Sequence, residues 1–152
     1  IRLPIVRLEE PGGSYCMGWD DYVRGQLLDR GLISRDDLHL YKIVDRAEDA
    51  CAEVLRFYRR YHSSRYVHDK LVIRMSHPVD GPGLAALNGE FGDLLAGGSI
   101  EQTAALREEA EEQHLLALPR LVLRFQRRNF GRLRRLIDRL NDLPIPEAPP
   151  VA

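Results

Sequence analysis

The sequence has few of the residues that mark disulfide-stapled, zinc-binding or membrane-spanning proteins. Its 152 residues include two cysteines, Cys16 and Cys51, which are too few for a disulfide framework or a four-cysteine zinc site. No apolar run approaches the roughly 18 residues that a membrane-spanning helix needs. The net charge of −1 gives no overall attraction to nucleic acid or to an anionic membrane. We therefore expect a reduced, cytoplasmic setting and no membrane partner.

Histidine is also sparse and scattered. The five histidines never occur at the HxxxH or HxxE spacing that puts metal ligands on one face of a helix, so no metal site and no cofactor are predicted. The two cysteines are expected to be buried as small apolar residues rather than to act as reactive thiols. Hydrophobic residues make up 44% of the chain and charged residues 30%, which is typical of a folded globular protein.

The first 61 residues alternate strand and helix patterns. The order predicts a strand over 2–8, a helix over 15–30 that stops at Gly31, a short helical turn over 34–37, a strand over 40–44 and a helix after Asp45. Asp45 with Glu48 three residues later resembles a capping box. The helix behind it carries apolar side chains on one face: Ala47, Ala50, Cys51, Val54, Leu55 and Tyr58. This order predicts a parallel sheet with crossover helices.

The pattern changes after a polar segment, residues 62–69, which we interpret as an interdomain junction. Beyond it the sequence predicts a strand over 70–75, a helix within 81–98, a short strand near 99–103, a strand over 118–126 and a final helix that ends near 142. The acidic stretch 106–114 is expected to be solvated. Residues 70–142 thus make most of a ferredoxin-like or ACT-like unit whose last strand is missing. The Pro-rich tail, residues 143–152, or a partner chain could supply that strand.

The segment "PGGSYCMGW", residues 11–19, lies between the first strand and the first helix. Phosphate-binding loops use glycines in this position, because they let the backbone N–H groups of a helix N-terminus point at the anion. The segment lacks the Lys-Ser/Thr of a Walker loop and the GxGxxG of a dinucleotide fingerprint. The residues alone leave two interpretations open: a phosphate cradle, or a turn followed by a helix N-cap at Ser14.

The run "LPIVRLEEPGGSYCMGWDDYVRGQLLDRGLISRDDLHLYKIVDRAEDACAEVLRFY" resembles the C-terminal part of the Lonely Guy family. These are Rossmann-like nucleotide-binding proteins that are often labelled lysine decarboxylases. The segment "FYRRYHSSRYVHDKLVIR" is similar to the point where long bacterial members join an extra C-terminal domain. The resemblance implies that residues 1–61 end a Rossmann-like nucleotide-binding domain and that residues 70–142 form a small ferredoxin-like or ACT-like domain. Because the chain opens in a strand, we expect it to be the C-terminal part of a longer protein.

The family signature P-G-G-x-G-T-x-x-E is not present. Residues 11–13 match its first three letters, but Tyr15, Cys16 and Trp19 stand where Gly, Thr and Glu would follow. The resemblance places the signature before Ile1, so no catalytic residue is assigned. It implies a parent protein that hydrolyses the N-glycosidic bond of a nucleoside 5′-monophosphate, while this chain alone is inactive. It also implies that the loop after the first strand of this chain lines the nucleotide pocket through Gly12, Gly13, Ser14 and Tyr15.

Two further polar segments carry open alternatives. Arg65 is a candidate for bidentate binding of an anion, although its segment, with His62 beside Ser63, is also typical of a hinge. The basic stretch 124–139 is interpreted as a solvated helix face that the acidic stretch neutralises, and binding of nucleic acid is not expected. The alternative function for the chain is an ACT-like module that binds an effector or mediates homo-oligomerisation without catalysis.

Overall fold

The computed structural model describes residues 3–145, which form a mixed α/β structure with two separate sheets. A parallel sheet of two strands lies in the N-terminal part, and an antiparallel sheet of four strands lies in the C-terminal part. No helix within residues 3–145 is long and apolar enough to cross a membrane. Most of the predicted Pro-rich tail, residues 146–152, lies outside the described residues.

The N-terminal unit has the predicted order of strand, helix, strand and helix. Its elements are β1 (Ile5–Leu8), α1 (Tyr15–Tyr22) continued by π-helical turns (Val23–Leu28), a 3₁₀ turn (Arg35–Leu40), β2 (Tyr41–Val44) and α2 (Ala47–Phe57). Strands β1 and β2 are parallel, with Ile5 opposite Tyr41 and Leu8 opposite Val44. A parallel pair needs a long crossover, which α1 and the 3₁₀ turn provide.

Two helix starts in this unit differ in how they are capped. The side chain of Asp37 accepts hydrogen bonds from the backbone N–H and the hydroxyl of Ser34, at 2.8 and 2.9 Å. This is a capping box at the start of the short helical turn that residues 34–37 predicted. Helix α2 has Arg46 at its N-cap and no side-chain capping bond. The box predicted from Asp45 and Glu48 is therefore wrong.

Helix α2 turns its apolar face outward. Its buried residues are Glu53 and Phe57, whereas Leu55 is 73% exposed and Cys51 is also exposed. The expectation that both cysteines are buried is thus confirmed for Cys16 and wrong for Cys51. Glu53 lies inside because three cations surround it, and this arrangement leaves the apolar stripe without cover among the described residues.

The C-terminal unit packs two helices on one face of the antiparallel sheet. Its elements are β3 (Tyr61–Val67), β4 (Lys70–Met75), α3 (Gly81–Phe91) with a 3₁₀ turn (Gly92–Leu94), β5 (Glu101–Thr103), β6 (Arg120–Leu123) and α4 (Phe130–Asp142). The strand order is β3-β4-β6-β5, and every neighbouring pair is antiparallel. The strands and helices predicted over 70–142 are confirmed.

The segment predicted as a junction is a strand. Residues 61–67 form β3, which pairs along β4 from Tyr61 opposite Met75 to Val67 opposite Lys70. Strand β3 thereby takes the edge position beside β4, and the expectation that the sheet lacks its last strand is wrong. This edge strand comes from residues 61–67, which precede the predicted unit.

The main core lies between this sheet and helices α3 and α4. Leu121, Leu123 and Phe125 face it from β6 and its extension, as their alternation predicts. Helix α4 contributes four fully covered apolar side chains: Leu133, Leu136, Ile137 and Leu140. Phe57 of α2 joins the same core and meets Tyr61 edge to face, with ring centroids 5.0 Å apart. Through Phe57, the N-terminal unit therefore contributes to the core of the C-terminal unit.

Candidate functional site

The Pro-Gly-Gly segment is a tight turn at the carboxyl end of β1. The N–H of Gly13 donates to the carbonyl of Glu10 at 2.7 Å, and Gly12 has a φ of +76°. Pro11 followed by a residue of positive φ is the pattern of a type II turn, in which the third position favours glycine. The interpretation as a turn is confirmed at the level of the backbone.

The N-terminus of α1 is occupied by a carboxylate of the chain itself. Glu9 is 7% exposed, and its Oε2 accepts hydrogen bonds from the N–H groups of Cys16 at 2.5 Å and Met17 at 3.2 Å. Ser14 stands at the N-cap, but its side chain makes no capping bond. Glu9 thus satisfies the helix dipole and the free N–H groups that an anion would otherwise use at this position.

Gly13 is required by the approach of this carboxylate. A Cβ at residue 13 would lie 2.9 Å from the carbonyl oxygen of Glu10 and 2.9 Å from Oε1 of Glu9. Real Cβ atoms essentially never come this close to another heavy atom. The glycine therefore permits an internal cap rather than close contact with a ligand.

A cleft of about 340 Å³ opens beside this turn, at the carboxyl ends of β1 and β2. Its lining includes Gly12 and Gly13, together with Glu9, Glu10, Met17, Ile43, Val44 and Asp45. Open α/β sheets bind ligands at the carboxyl ends of their strands. Two of the four predicted pocket residues thus line this cleft, whereas Ser14 and Tyr15 do not, and Tyr15 is 78% exposed.

Helix α1 is fixed on the parallel sheet by an aromatic and polar cluster. The guanidinium of Arg7 lies 3.9 Å from the ring centroid of Trp19, and Trp19 meets Tyr41 edge to face at 4.7 Å. The hydroxyl of Tyr41 donates to Asp20 at 2.5 Å. Burial and this hydrogen bond raise the pKa of Tyr41 to about 12. The helix that carries Tyr15 is therefore anchored by its second turn.

The second polar region lies on the helix-free face of the antiparallel sheet. Glu109 is fully buried there, and its two oxygens accept from Nε of Arg74 at 2.8 Å and Nε of Arg120 at 3.1 Å. Burial favours the neutral acid, but the hydrogen bonds from Arg120, from the backbone N–H of Leu106 and from Arg74 hold the pKa of Glu109 below its usual value. Most of the acidic stretch 106–114 is exposed, as predicted, but Glu109 is buried and fastens the stretch to the sheet.

A cleft of about 650 Å³ opens next to Glu109, between β3 and the acidic stretch. Nη1 of Arg65 donates to Oε2 of Glu112 at 3.0 Å, and Nη2 of Arg74 donates to the same oxygen. Nδ1 of His62 lies 3.0 Å from the hydroxyl of Ser63, and His114 also lines the cleft. The structure thus places Arg65, the predicted anion-binding candidate, in a polar cleft beside the segment that was predicted to be a junction.

Arg74, Glu112 and His114 were missed as members of this cleft. Arg65 and Glu112 are 47 residues apart, and Arg74 and Glu112 are 38 apart, so no local spacing joins them. The one available signal is the coincidence of an acidic run with a basic, polar strand of the same domain. That signal does not show how the two segments are aligned, so it cannot predict which acidic residue pairs with which arginine.

The basic stretch 124–139 is largely paired. Four arginines of α4 contact acidic residues from three other segments: Arg132 with Asp93, Arg134 with Glu53, Arg135 with Asp36 and Arg139 with Glu90. Neutralisation by the acidic stretch 106–114 was expected, and this expectation is wrong because those acids pair with Arg65, Arg74 and Arg120. The charges of α4 thus serve to join structural elements.

Within residues 3–145 no three His, Cys, Asp or Glu side chains are grouped so as to hold a metal ion. In comparisons with known proteins, no family model, no curated protein and no solved structure matches this chain. The function is therefore inferred from the geometry of the two clefts and of the surfaces around them.

Proposed function

We propose that this chain is the C-terminal portion of a nucleotide-binding protein that resembles the Lonely Guy nucleoside 5′-monophosphate phosphoribohydrolases. Residues 1–61 would complete a Rossmann-like parallel sheet, and residues 70–142 would form an accessory ferredoxin-like or ACT-like domain. The catalytic signature would come from the preceding part of the parent protein, so this chain alone is expected to be inactive.

The observation that carries the proposal is the open apolar surface of the parallel unit. Leu3, Ile5 and Leu8 are 66%, 54% and 53% exposed, and Leu55 of α2 is 73% exposed. Parallel sheets occur almost only where both faces are covered, and two strands are too few to be stable alone. Further parallel strands beside β1, with α2 packed over them, would cover this surface and complete the sheet.

The cleft at the carboxyl ends of β1 and β2 supports the nucleotide assignment. Its position is the one where a doubly wound sheet binds nucleotides. Because Glu9 already occupies the N-terminus of α1, this loop would contribute the wall of the pocket rather than its phosphate site. In this proposal Gly12 and Gly13 shape that wall, and Tyr15 extends from the surface towards the base or the sugar.

Thiol labelling of Cys51 tests the completion of the sheet. Cys51 lies on the exposed apolar face of α2, whereas Cys16 is buried. In the full gene product we expect Cys51 to react with a maleimide at least about tenfold more slowly than the same thiol after unfolding, because the added strands would cover it. Rapid labelling of Cys51 in the native gene product would show an open face and refute the proposal.

Kinetics of nucleoside 5′-monophosphate hydrolysis test the pocket. Tyr15→Ala in the full gene product is expected to lower kcat/KM by roughly tenfold, the size of one lost aromatic contact of about 1.4 kcal/mol. Tyr22→Ala is the matched control, since Tyr22 is an exposed tyrosine at the other end of α1. Equal kinetics for the two variants would show that the loop carrying Tyr15 does not line the pocket.

The second candidate is an ACT-like module that binds an effector or mediates homo-oligomerisation. The strand order supports it: β4-α3-β5-β6-α4 has the sequence of a ferredoxin-like unit, and β3 takes the edge that the last strand of that unit would hold. The cleft beside Arg65 lies in this unit. Both candidates can describe one parent protein.

A further inference from the structure

The cleft between β3 and the acidic stretch contains two carboxylates of very different accessibility. Glu109 is fully buried and uses both oxygens, accepting from Arg74, Arg120 and the N–H of Leu106. Glu112 has a side chain that is 36% exposed, and one of its oxygens accepts from both Arg65 and Arg74. Glu109 is therefore a fixed part of the fold, whereas Glu112 is a carboxylate that solvent can reach.

Oε2 of Glu112 marks the point where two guanidinium groups converge. Arg74 is held in place from behind by Glu109, at 2.6 Å from Nη2 to Oε1, so its outer edge faces the cleft in a fixed orientation. Within the described residues, Glu112 is the only hydrogen-bond partner of the Arg65 side chain. A pair of guanidinium groups that share one anionic oxygen is a preformed site for an oxyanion.

We propose that this cleft binds the phosphate group of a small phosphate monoester, and that Glu112 occupies the phosphate position when the ligand is absent. A ligand must displace a carboxylate, so it needs more charge than a carboxylate has. A phosphate monoester carries about −1.5 to −2 at pH 7 and has three acceptor oxygens, against −1 and two oxygens for Glu112. The hydroxyl of Ser63 and the ring of His62 also line the cleft and provide further polar groups.

The size of the cleft indicates that the ligand is larger than inorganic phosphate. Its volume of about 650 Å³ is in the range of sites for small organic molecules. Tyr66 and Leu115 are also in the lining and give the organic part an apolar contact. This inference names the ligand for the effector-binding candidate, rests on that candidate alone, and does not depend on the nucleotide cleft.

Calorimetric titration of the full gene product with phenyl phosphate tests the proposal. Glu112→Gln removes the competing charge and is expected to bind phenyl phosphate about tenfold more tightly than the wild type, the effect of one lost charge-assisted contact. Glu111→Gln is the matched control, because Glu111 is the exposed neighbouring carboxylate, and it should bind as the wild type does. Arg65→Gln should bind at least about tenfold more weakly.

Benzoate is the matched ligand, since it has the same ring with a carboxylate in place of the phosphate. We expect it to bind neither the wild type nor Glu111→Gln measurably. The proposal fails if Glu112→Gln binds phenyl phosphate no more tightly than Glu111→Gln, or if Arg65→Gln binds it unchanged. It also fails if benzoate equals phenyl phosphate. Arg65 has a partly exposed side chain, so Arg65→Gln should fold. Weaker binding by this variant would then report the lost contact rather than unfolding.

The outcome is separable from that of the nucleotide proposal. Tyr15→Ala changes only the loop after β1, so phenyl phosphate should bind this variant as it binds the wild type. Loss of hydrolysis in Tyr15→Ala with unchanged phenyl phosphate binding supports two independent sites. Loss of phenyl phosphate binding in Tyr15→Ala would show that the phosphate occupies the nucleotide cleft and would overturn the site at Arg65.

Discussion

Nη2 of Arg134 on α4 lies 2.8 Å from Oε1 of Glu53 on α2, and both side chains are less than a tenth exposed. The two residues are 81 positions apart in the chain. Lys42 and Arg56 also contact Glu53, at 3.0 and 3.2 Å. Burial alone would raise the pKa of Glu53, but the hydrogen bonds and charges of Arg56 and Lys42 lower it below the usual value. This pair joins the parallel unit to the antiparallel unit.

Glu53→Gln is expected to lower the free energy of unfolding by about 3 kcal/mol, because it removes a buried carboxylate that Arg134, Arg56 and Lys42 share. Arg134 then keeps Asp138 as its only acidic partner among the described residues. Urea denaturation followed by circular dichroism measures this change. Glu48→Gln on the same helix is the control: its ion pair with Arg46 is exposed and should contribute less than about 1 kcal/mol. Equal losses for the two variants would mean that the buried pair does not hold the units together.

The low pKa of Glu109 should make the free energy of unfolding depend on pH in acid. Its pKa in the folded protein is lower than the ordinary value of 4.5, so the unfolded state binds more protons in acid than the folded state does. The stability that Glu109 contributes is present above about pH 4.5 and is lost as the pH falls towards its folded pKa. Urea denaturation of the wild type between pH 6 and pH 3.5 should show this loss.

Glu109→Gln separates this carboxylate from the other acids of the chain. The variant should be less stable at pH 6, by about 3 kcal/mol, and its stability should fall less between pH 5 and pH 3.5 than that of the wild type. Parallel pH curves for the two proteins would contradict the low pKa of Glu109.

Gly13→Ala tests the internal cap of α1. The added methyl group would meet Glu10 and the Glu9 carboxylate at 2.9 Å, so we expect a loss of about 1–3 kcal/mol in the free energy of unfolding. Gly18→Ala provides the contrast within α1, since a Cβ there meets nothing within 4 Å, and this variant should gain roughly 0.5–1 kcal/mol. A neutral Gly13→Ala would show that Glu9 does not need this close approach.

Asn141 holds the connection between α2 and β3. Its Oδ1 accepts from the N–H groups of Arg60 at 3.0 Å and Tyr61 at 2.8 Å, and its Nδ2 donates to the carbonyl of Phe57 at 2.6 Å. Asn141→Ala removes these three buried hydrogen bonds and should cost roughly 3 kcal/mol.

Asp142→Ala is the neighbouring control for Asn141→Ala. Asp142 contacts Arg56 through a half-exposed side chain, so its removal should cost less than about 1 kcal/mol. Hydrogen exchange at the amides of Arg60 and Tyr61 should accelerate in Asn141→Ala and not in Asp142→Ala. Unchanged exchange in both variants would contradict the role of Asn141.

The elements with a regular apolar period could be predicted from the sequence, and the irregular ones could not. Strand β6 and helix α4 have uninterrupted periods of 2 and 3.6. Strand β3 has a register shift between Tyr61 and Ser63, and such a bulge interrupts the alternation that identifies a strand. Because the segment is also polar, its sequence was typical of a loop between domains, and the strand was not predicted.

The candidate sites were predictable only in part, because their contacts are long-range. The Gly-rich turn was evident from its residues, but the cap by Glu9 depends on the turn bringing residue 9 back to residue 16. Arg65 was identifiable as a cation, whereas its convergence with Arg74 on Glu112 depends on sheet pairing and on the path of a loop 38 or more residues away. The sequence shows which side chains are charged, but only the complete fold determines which of them meet.

The short connection between Phe57 and Tyr61 limits which fragments of this protein can fold. Only residues 58–60 separate α2 from β3, and Asn141 fastens both sides of that step to the last helix. A fragment cut at residue 70 would lose an edge strand, and a fragment cut at residue 61 would lose the Phe57 ring from its core. The antiparallel unit is thus not independent of the parallel sheet. Recombination, fusion or limited proteolysis can separate the two only by disrupting the packing of the antiparallel unit.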